Sequence, residues 1–464
     1  MMRKLAIAVV AALVAGGGAA AATESSVPFA PARPAADQPR GHWWTALGDP
    51  ALNGLEDRLA AASPSLRLAV LRYDQARAYL GLAASDQSPR GDLVGSGTEN
   101  RQSNLRPLRG SNQPDQYAAN TIGAVMSYEI DLWGRVRREV AAGRAEVAAR
   151  QDDLESVRLS LQAELAVDYA RLRAADDDIA LLTSASEAYG RVYHLIEVRH
   201  TAGAASAVDL ARADSQRKSV LAQADDARAA RALYEHAIAV LVGDNPRTFR
   251  IPATMTRLKL VDPPVAVEST LLERRPDIAA AEARVAEANA LIGVARAAFF
   301  PQLSLGAALG VQNTGEAGLF ASSNRFWSVG PAADLSFLDG GRRRAGLQLA
   351  RTQRDAAVES YRQTVLTAFQ DVEDNIALIA RLGDEAAHQS DAVAAARQAE
   401  SLSIVRYQKG AVTFLETAVA ETTALQADRV YLQVEERRLE AGIRLVKALG
   451  GDWRPGGRAD PQGS

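Results

Sequence analysis

The chain has 464 residues, of which 5% are aromatic, and it carries a formal net charge of −3 and no cysteine. The missing cysteine excludes disulfides, thiolate metal sites and a cysteine nucleophile from this sequence. The weakly negative charge provides no basic field that would attract nucleic acid, and the scarcity of aromatic side chains favours closely packed helices over thick globular cores.

The first 22 residues have the composition of a secretory signal peptide. Arg3 and Lys4 precede an apolar run over 5–15, and small residues continue to Ala22. That run is too short to cross a bilayer comfortably, and no later segment reaches about 18 consecutive apolar residues. We therefore expect residues 1–22 to be removed on export, no transmembrane helix in the mature chain, and no lipid on its N-terminus.

Residues 23–49 are rich in proline and are predicted to form an extended N-terminal arm. A helix is predicted from about Pro50 to Ala84, where leucines recur every three or four residues. The segment 89–132 then changes period, because apolar and polar residues alternate, most clearly from Thr121 onward. Alternation with a period of two predicts a β-hairpin with one apolar and one polar face.

Long helices are predicted over 134–243, because no proline occurs between Pro114 and Pro246 and apolar residues recur at heptad spacing. A single helix over 134–199 would be roughly 100 Å long at 1.5 Å per residue, which is more than a compact domain accommodates. Residues 244–265 contain four prolines and are predicted to be a linker. The acidic run 176–178 is expected to be a solvated helix face.

The second half of the chain repeats this order of elements. Gly203 and Gly410 lie 207 residues apart, as do Gly243 and Gly450. Alternating residues from Gln302 to Phe337 predict a second pair of strands. The predicted organisation is a first repeat over 50–243, a second repeat over 266–450 with its hairpin at about 300–338 and its long helices over 340–450, and a C-terminal tail over 451–464.

Each repeat therefore supplies two strands, and strands of about eleven residues are long enough to cross a bilayer when tilted. A soluble alternative is a small sheet packed on helices. The signal peptide and the very long helices favour the membrane instead. Four strands cannot close a membrane barrel, since known barrels begin at about eight, so several chains must contribute and three would give twelve strands. The predicted fold class is an internally duplicated α+β membrane protein.

Several motifs, spread in order over nearly the whole mature chain, resemble those of TolC-like outer-membrane efflux proteins, closest to the OprM/NodT branch. They begin with the tryptophan pair before Pro50 and with the acidic and aromatic stretch that ends at Arg135. The motifs are Trp43-Trp44-x-x-Leu47-Gly48-Asp49-Pro50, Tyr128-Glu129-Ile130-Asp131-Leu132-Trp133-Gly134-Arg135, Leu271-Leu272-Glu273-Arg274-Arg275-Pro276-Asp277-Ile278, Ile292-Gly293-Val294-Ala295-Arg296-Ala297-Ala298-Phe299-Phe300-Pro301, Phe337-Leu338-Asp339-Gly340-Gly341-Arg342 and Lys447-Ala448-Leu449-Gly450-Gly451-Asp452-Trp453.

The resemblance implies a homotrimer with a twelve-stranded β-barrel and a periplasmic α-helical barrel, in the outer membrane of a Gram-negative bacterium. It implies that the chain is the exit duct of a tripartite efflux pump. Its partners would be a periplasmic adaptor (membrane fusion) protein, an inner-membrane transporter of the RND type, and outer-membrane lipid. No cofactor, metal or nucleic acid is expected.

The same resemblance implies a gate at the periplasmic helix turns, Gly203 and Gly410. Asp209, Tyr407 and Glu416 fall on positions where family members carry acidic rings and a tyrosine latch. The family's arginine and second carboxylate are replaced by valines here, at Val412 and Val419. The alternative is that Asp209 and Glu416 simply cap or solubilise a turn.

The sequence offers no nucleophile–base constellation and no phosphate-binding loop, so an enzyme is not expected. His194 and His200 are six residues apart, which does not place them on one helical face as metal ligands. Two other functions stay open: the duct of a type I protein secretion system, and a periplasmic coiled-coil scaffold.

Overall fold

The structure is a computed structural model. All of the residues that it describes fall within one unit that begins at Pro34. The signal peptide, most of the predicted arm, part of the linker with the Leu271–Arg274 motif, and the tail beyond Gly451 lie outside the described residues. The described residues are 42–103, 115–254, 256–260, 275–314 and 318–451.

Long helices and four strands make up the described residues, in an order that the two halves share. A short 3-10 helix, Trp43–Leu47, precedes the first long element. The elements in chain order are α1 (Pro50–Ala62), α2 (Pro64–Ser85), β1 (Arg90–Arg101), β2 (Gln116–Glu129), α3 (Arg135–Thr201), α4 (Ala207–Leu241), α5 (Pro276–Ala297), β3 (Gln302–Asn313), β4 (Arg325–Asp334), α6 (Arg342–Gln408) and α7 (Phe414–Ala448).

The duplication is visible in the element lengths. Helices α3 and α6 both have 67 residues, and helices α4 and α7 both have 35. The helices that lead into the two hairpins, α2 and α5, both have 22 residues. Helix α3 is continuous through the span for which the sequence predicts one helix of about 100 Å. Two copies of one unit therefore build this chain.

The helix predicted over 50–84 is wrong in one respect, because it is broken at Ser63. Ser63 has φ −60° and ψ 121°, which is extended backbone. The following residue is Pro64, whose ring clashes with a helical conformation at the residue before it. Helix α1 begins with its own cap, since the backbone N–H of Ala51 donates to the Asp49 carboxylate at 2.9 Å.

The four strands form one antiparallel sheet in the order β1-β2-β3-β4. Leu93, Ala124, Leu309 and Trp327 are directly opposite one another and so share one face. In the single chain Leu93 is 91% exposed, Leu309 63% and Trp327 78%. The alternation in the sequence therefore becomes an exposed apolar face, and β1 and β4 are its two edges.

The opposite face is polar and small. Gly123 and Gly310 are opposite one another, and a Cβ atom on Gly310 would lie 2.7 Å from the Gly123 Cα atom and 3.0 Å from the Phe326 ring. The close approach of the two strands, with the ring beside them, requires glycine at both positions.

Strand β4 ends at Asp334 and does not continue to Phe337 as the alternation predicts. Asp334 is opposite Gln302, the first residue of β3. The residue before Gln302 is Pro301, which has no N–H to donate to a further pair. Phe337 is consequently outside the sheet and 91% exposed in the single chain.

The most extensive buried cluster lies where α1, the middle of α3, the end of α4 and the end of α7 meet. The two tryptophans of the 3-10 helix and the linker residues Phe249 and Ile251 belong to it. Tyr169 at its centre is fully buried. The linker is thus packed against the helices at this level. None of the described helices is long and apolar enough to span a membrane.

Candidate functional site

The candidate site is at the end of the helices farthest from the sheet, where α3 turns into α4 and α6 turns into α7. Gly203 has φ 74° and Gly410 has φ 73°. In the first turn the Ala204 N–H donates to the carbonyl of Arg199 at 2.7 Å, and in the second the Ala411 N–H donates to that of Arg406 at 2.9 Å. Both helices therefore end in the same glycine-dependent motif.

A small apolar cluster joins the two turns. Its fully buried members come from three helices and are Ile196 of α3, Ala213 of α4 and Phe414 of α7. Tyr407, near the end of α6, is half-buried and packs against them. All four long helices thus contribute to one cluster, so the two helix pairs, α3 with α4 and α6 with α7, are in contact at this end.

Tyr407 is held on two sides. Its ring lies 5.9 Å from the Phe414 ring, centroid to centroid, at an interplanar angle of 58°. The guanidinium carbon of Arg199 lies 5.2 Å from the Tyr407 ring centroid. This geometry is that of a cation–π contact, and it links the first repeat to the second.

Asp209 takes part in a helix cap. The Asp209 N–H donates to the Ser206 hydroxyl at 3.0 Å, and that hydroxyl donates to the Asp209 carboxylate at 2.8 Å. This reciprocal pair gives a hydrogen-bond partner to one of the free backbone N–H groups in the first turn of α4. The structure therefore places Asp209 in the capping role that the sequence offers as an alternative to a gate.

Glu416 is at the matching place in α7 but has different surroundings. It is exposed, and within the described part of the chain its carboxylate has no hydrogen bond or ion pair. Thr413 caps α7 without a side-chain hydrogen bond. Val412 is half-buried and Val419 is 57% exposed. Because both are valines, neither position contributes a charge.

A polar contact joins the two pairs about one and a half helical turns from Glu416, in the direction of the sheet. The Gln216 amide of α4 donates to the carbonyl of Ala418 at 3.4 Å, and to the Glu421 carboxylate and the Thr422 hydroxyl at 3.3 Å each. Burial raises the pKa of Glu421 to about 7, and the neighbouring Glu400 carboxylate adds to the rise. A groove of about 530 Å³ lies beside this contact, between α4 and α7.

Stronger contacts join the repeats nearer the sheet. Arg429 of α7 donates two hydrogen bonds of 2.9 Å to the Asp178 carboxylate of α3, and a third to the Gln223 side chain. Arg171 of α3 is paired with Glu440 of α7. The Arg429–Asp178 pair is bidentate, and such pairs are strong and directional. Together with the Arg171–Glu440 ion pair it fixes the helix pairs to each other at this level.

The acidic run 176–178 is therefore not a solvated face, and that expectation is wrong. Asp176 is 6% exposed and accepts hydrogen bonds from Arg173 and Arg231. Asp178 binds Arg429, as described above. A run of like charges suggests a solvated face when its partners are not visible nearby in the sequence. Here Arg231 and Arg429 lie far from the run, and only Arg173 is close to it.

A second region of interest is the junction between strands and helices. Trp133 stacks on Phe300 at a centroid distance of 4.6 Å and donates its indole N–H to the carbonyl of Pro301 at 2.8 Å. Arg343 pairs with Asp339, which lowers the pKa of Asp339 to about 2. A cavity of about 340 Å³ lies between these residues. The contacts fix the strand ends to the helix starts.

Within the described ranges, no group of three or more acidic or histidine side chains is arranged to hold a metal ion. His200 is bonded through Nδ1 to the carbonyl of Ala205 at 2.9 Å, which supports the turn. His194 lies 3.4 Å from Glu197 on the same helix face. Both histidines thus have local structural partners.

Sequence reasoning missed Arg199, Gln216 and Arg429 as contacts between the repeats. Arg199 carries a recognisable signal, because its duplicate is Arg406, which directly precedes Tyr407. The pairing itself has no sequence signal, since Arg199 and Tyr407 are separated by a full repeat.

Comparison with known proteins identifies a family. The chain matches the family model described as outer membrane efflux protein over residues 55–244 and 267–451. It is 32% identical over 417 residues to outer membrane protein OprJ of Pseudomonas aeruginosa, covering 89% of this chain and 87% of that one. It is 30% identical to the toluene efflux pump outer membrane protein TtgC of Pseudomonas putida, covering 91% and 87%.

Solved structures agree with these matches. The outer-membrane channel OprN superposes with a TM-score of 0.83 at 29% identity and covers 91% of this chain and 95% of that one. The CmeC outer membrane channel of Campylobacter jejuni gives a TM-score of 0.85 at 25% identity, with 90% and 89% covered.

Proposed function

This chain belongs to the outer membrane efflux protein family, and we propose that three copies of it form the closed-walled exit channel of a tripartite efflux pump. As an outer-membrane efflux component it is located in the outer membrane of a Gram-negative bacterium. The observation that carries the proposal is the four-stranded sheet with an exposed apolar face, joined to helices of 67 residues in a chain that matches this family in both repeats.

The edges of the sheet support closure of a barrel by several copies. Strands β1 and β4 each have one unpaired side in the single chain, and unpaired backbone groups in hydrocarbon cost several kcal/mol each. Pairing β1 of one copy with β4 of the next removes every edge. Three copies give twelve strands, an even number within the range of membrane barrels. We retain the division into repeats over 50–243 and 266–450 as part of this proposal.

The proposed transport is passive, with energy supplied by an inner-membrane transporter of the RND type that is reached through a periplasmic adaptor protein. Small molecules are the proposed substrates. The names of similar proteins support this choice over protein secretion, since they refer to toluene, solvents and pyoverdine. A pump component of this kind performs no chemistry on what passes through it.

The gate is proposed to lie at the turn end, with Tyr407, Asp209 and Glu416 as its members. Trimer symmetry would place three Glu416 carboxylates around the opening. Like charges in a narrow opening concentrate cations there. The exposure of Glu416 and its lack of a described partner support this role, and the cap made by Asp209 leaves it the weaker contributor of the two.

The apolar sheet face provides a direct test. Trp327→Arg should impair assembly in the outer membrane, because a cation on the lipid side costs up to about 4 kcal/mol, depending on its depth in the bilayer. Ser328→Arg is the matched control, since the next residue along the strand points to the opposite face. Equal recovery of both variants as membrane-inserted oligomers would contradict the proposed lipid face.

The acidic ring is tested by ion selectivity in planar bilayers. Glu416→Gln should weaken block by divalent cations, and Glu187→Gln, an exposed glutamate in the last third of α3 and away from the turn, should not. Unchanged block in the Glu416 variant would remove this carboxylate from the constriction.

A further inference from the structure

We propose that Arg199 is the residue that holds the two helix pairs together at their turn end, by binding the ring face of Tyr407. The inference rests on the proposed channel function and assigns to it a positioning residue. The contact that keeps the turn end closed is then a cation–π interaction between the repeats, and the tyrosine hydroxyl is not needed for it.

The geometry of the ring supports this assignment. Arg199 is in the last turn of α3 and Tyr407 is in the last turn of α6. The guanidinium carbon lies 5.2 Å from the ring centroid, inside the roughly 6 Å range of cation–π contacts. Phe414 supports the same ring at 5.9 Å. The tyrosine ring is therefore held by Phe414 as well as by Arg199.

The charge of Arg199 has no other partner among the described residues. Its side chain makes no ion pair or hydrogen bond there and is half-buried beside the apolar cluster of Ile196 and Phe414. An aromatic face stabilises a cation that is partly removed from water and has no counter-ion more than it stabilises an exposed cation. The ring of Tyr407 is the attractive surface available to it.

The position of the contact along the helices gives it control over separation. Arg429 and Asp178 join the pairs through two hydrogen bonds of 2.9 Å, whereas the Gln216 bonds closer to the turns are 3.3–3.4 Å long. Contacts between the pairs thus weaken toward the turn end. The turn end can separate while the Arg429 contact persists, and that separation must break the Arg199 contact together with the apolar cluster beside it.

The chain contains a matched contact that does not join the pairs. Arg217 of α4 lies 5.1 Å from the ring centroid of Tyr193 in α3. Both residues belong to the first helix pair. Arg217 also pairs with Asp214 of the same helix at 3.1 Å, so removing Arg217 removes a cation–π contact of similar geometry and a local ion pair near the same end, but no direct contact between the pairs.

The experiment measures gating of the full-length protein, reconstituted in planar bilayers, at fixed salt. Arg199→Gln should raise the open-to-closed ratio by about tenfold, and Arg217→Gln should leave it near the wild-type value. Tenfold corresponds to about 1.4 kcal/mol, or about 0.5 kcal/mol for each of three symmetry-related contacts, which is at the lower end for cation–π pairs.

Two conservative variants separate the ring face from the hydroxyl. Arg199→Lys and Tyr407→Phe both keep a cation and an aromatic face, so both should remain close to wild type, while Tyr407→Leu should open the channel as Arg199→Gln does. If Arg199→Gln does not assemble, Tyr407→Leu and Tyr407→Phe decide the question by themselves.

The proposal is overturned if Arg199→Gln gates like wild type, if Arg217→Gln opens the channel equally, or if Tyr407→Phe opens it as much as Tyr407→Leu. These results differ from a failure of the proposed function, in which the wild-type protein itself would form no channel in the bilayer.

Discussion

A buried carboxyl group in α1 makes the stability of this protein depend on pH. Glu56 is 1% exposed, and neither of its carboxyl oxygens has a hydrogen-bond partner. Burial raises the pKa of Glu56 to about 9, with a smaller contribution from Asp57. The folded protein therefore keeps this group protonated at neutral pH, whereas the unfolded chain ionises it near its ordinary value of 4.5.

The sign of the effect follows from linkage. The folded state binds the proton more tightly, so the stabilisation that this proton provides is complete below the unfolded pKa and is lost as pH rises toward the folded pKa. Between pH 5 and pH 7.5 the loss is roughly 3 kcal/mol, at 1.36 kcal/mol per pKa unit. With an unfolding entropy of about 2 cal/mol/K per residue, the midpoint of a chain this long should fall by roughly 3 °C.

The variant Glu56→Met removes the carboxyl group and keeps a side chain of similar length. Its thermal unfolding midpoint in detergent should exceed that of the wild type by an amount that grows over this pH range. Glu187→Met, at an exposed position, should follow the wild type throughout. A constant difference between Glu56→Met and wild type from pH 5 to pH 7.5 would refute the assignment of a neutral buried carboxyl.

Two further outcomes are expected from the contacts between the repeats. Arg429→Gln should lower stability by roughly 1–2 kcal/mol, because it leaves the half-buried Asp178 carboxylate without its arginine; Arg228→Gln, at an exposed pair with Asp225 within one repeat, should cost less, and equal unfolding midpoints would exclude the difference. Glu421→Gln should flatten the decline of the midpoint between pH 5 and pH 7, since the raised pKa of Glu421 makes its stabilisation disappear as pH rises through about 7; an unaltered pH profile would show that Glu421 is ionised throughout.

The fold was predictable because its signals are local. Heptads and the absence of proline predict the long helices, and period-two alternation predicts a sheet with one apolar face. The break at Ser63 was also predictable, since Pro64 disfavours a helical conformation at the residue before it. The end of β4 at Asp334 depends on Pro301, which directly precedes the partner strand β3. The alternation of residues in β4 carries no information about that proline.

The contacts at the candidate site were less accessible because they join distant parts of the chain. Asp178 looks like one member of an acidic run until Arg429 of the other repeat is placed beside it. Tyr407 could be assigned to a gate by resemblance, yet its partner Arg199 emerges only when the two turns are brought together. Residue type and spacing predict helix faces, and they do not predict which faces meet.

Three chains are proposed to close one barrel through β1 and β4, and disulfide trapping between copies is the direct test of this closure. The native sequence has no cysteine, so every cross-link reports an engineered pair. Ser328→Cys on β4 is combined in turn with a cysteine on the same face of β1. The β1 positions are Asp92, Val94, Ser96 and Thr98.

Within one chain β1 and β4 are separated by two strands, or about 14 Å at 4.8 Å per strand, which no disulfide spans. A cross-link therefore joins two copies. If three chains close the barrel, one register gives covalent dimers and trimers on a non-reducing gel and nothing larger. Monomers alone in every register, or a ladder that continues beyond three chains, would contradict it.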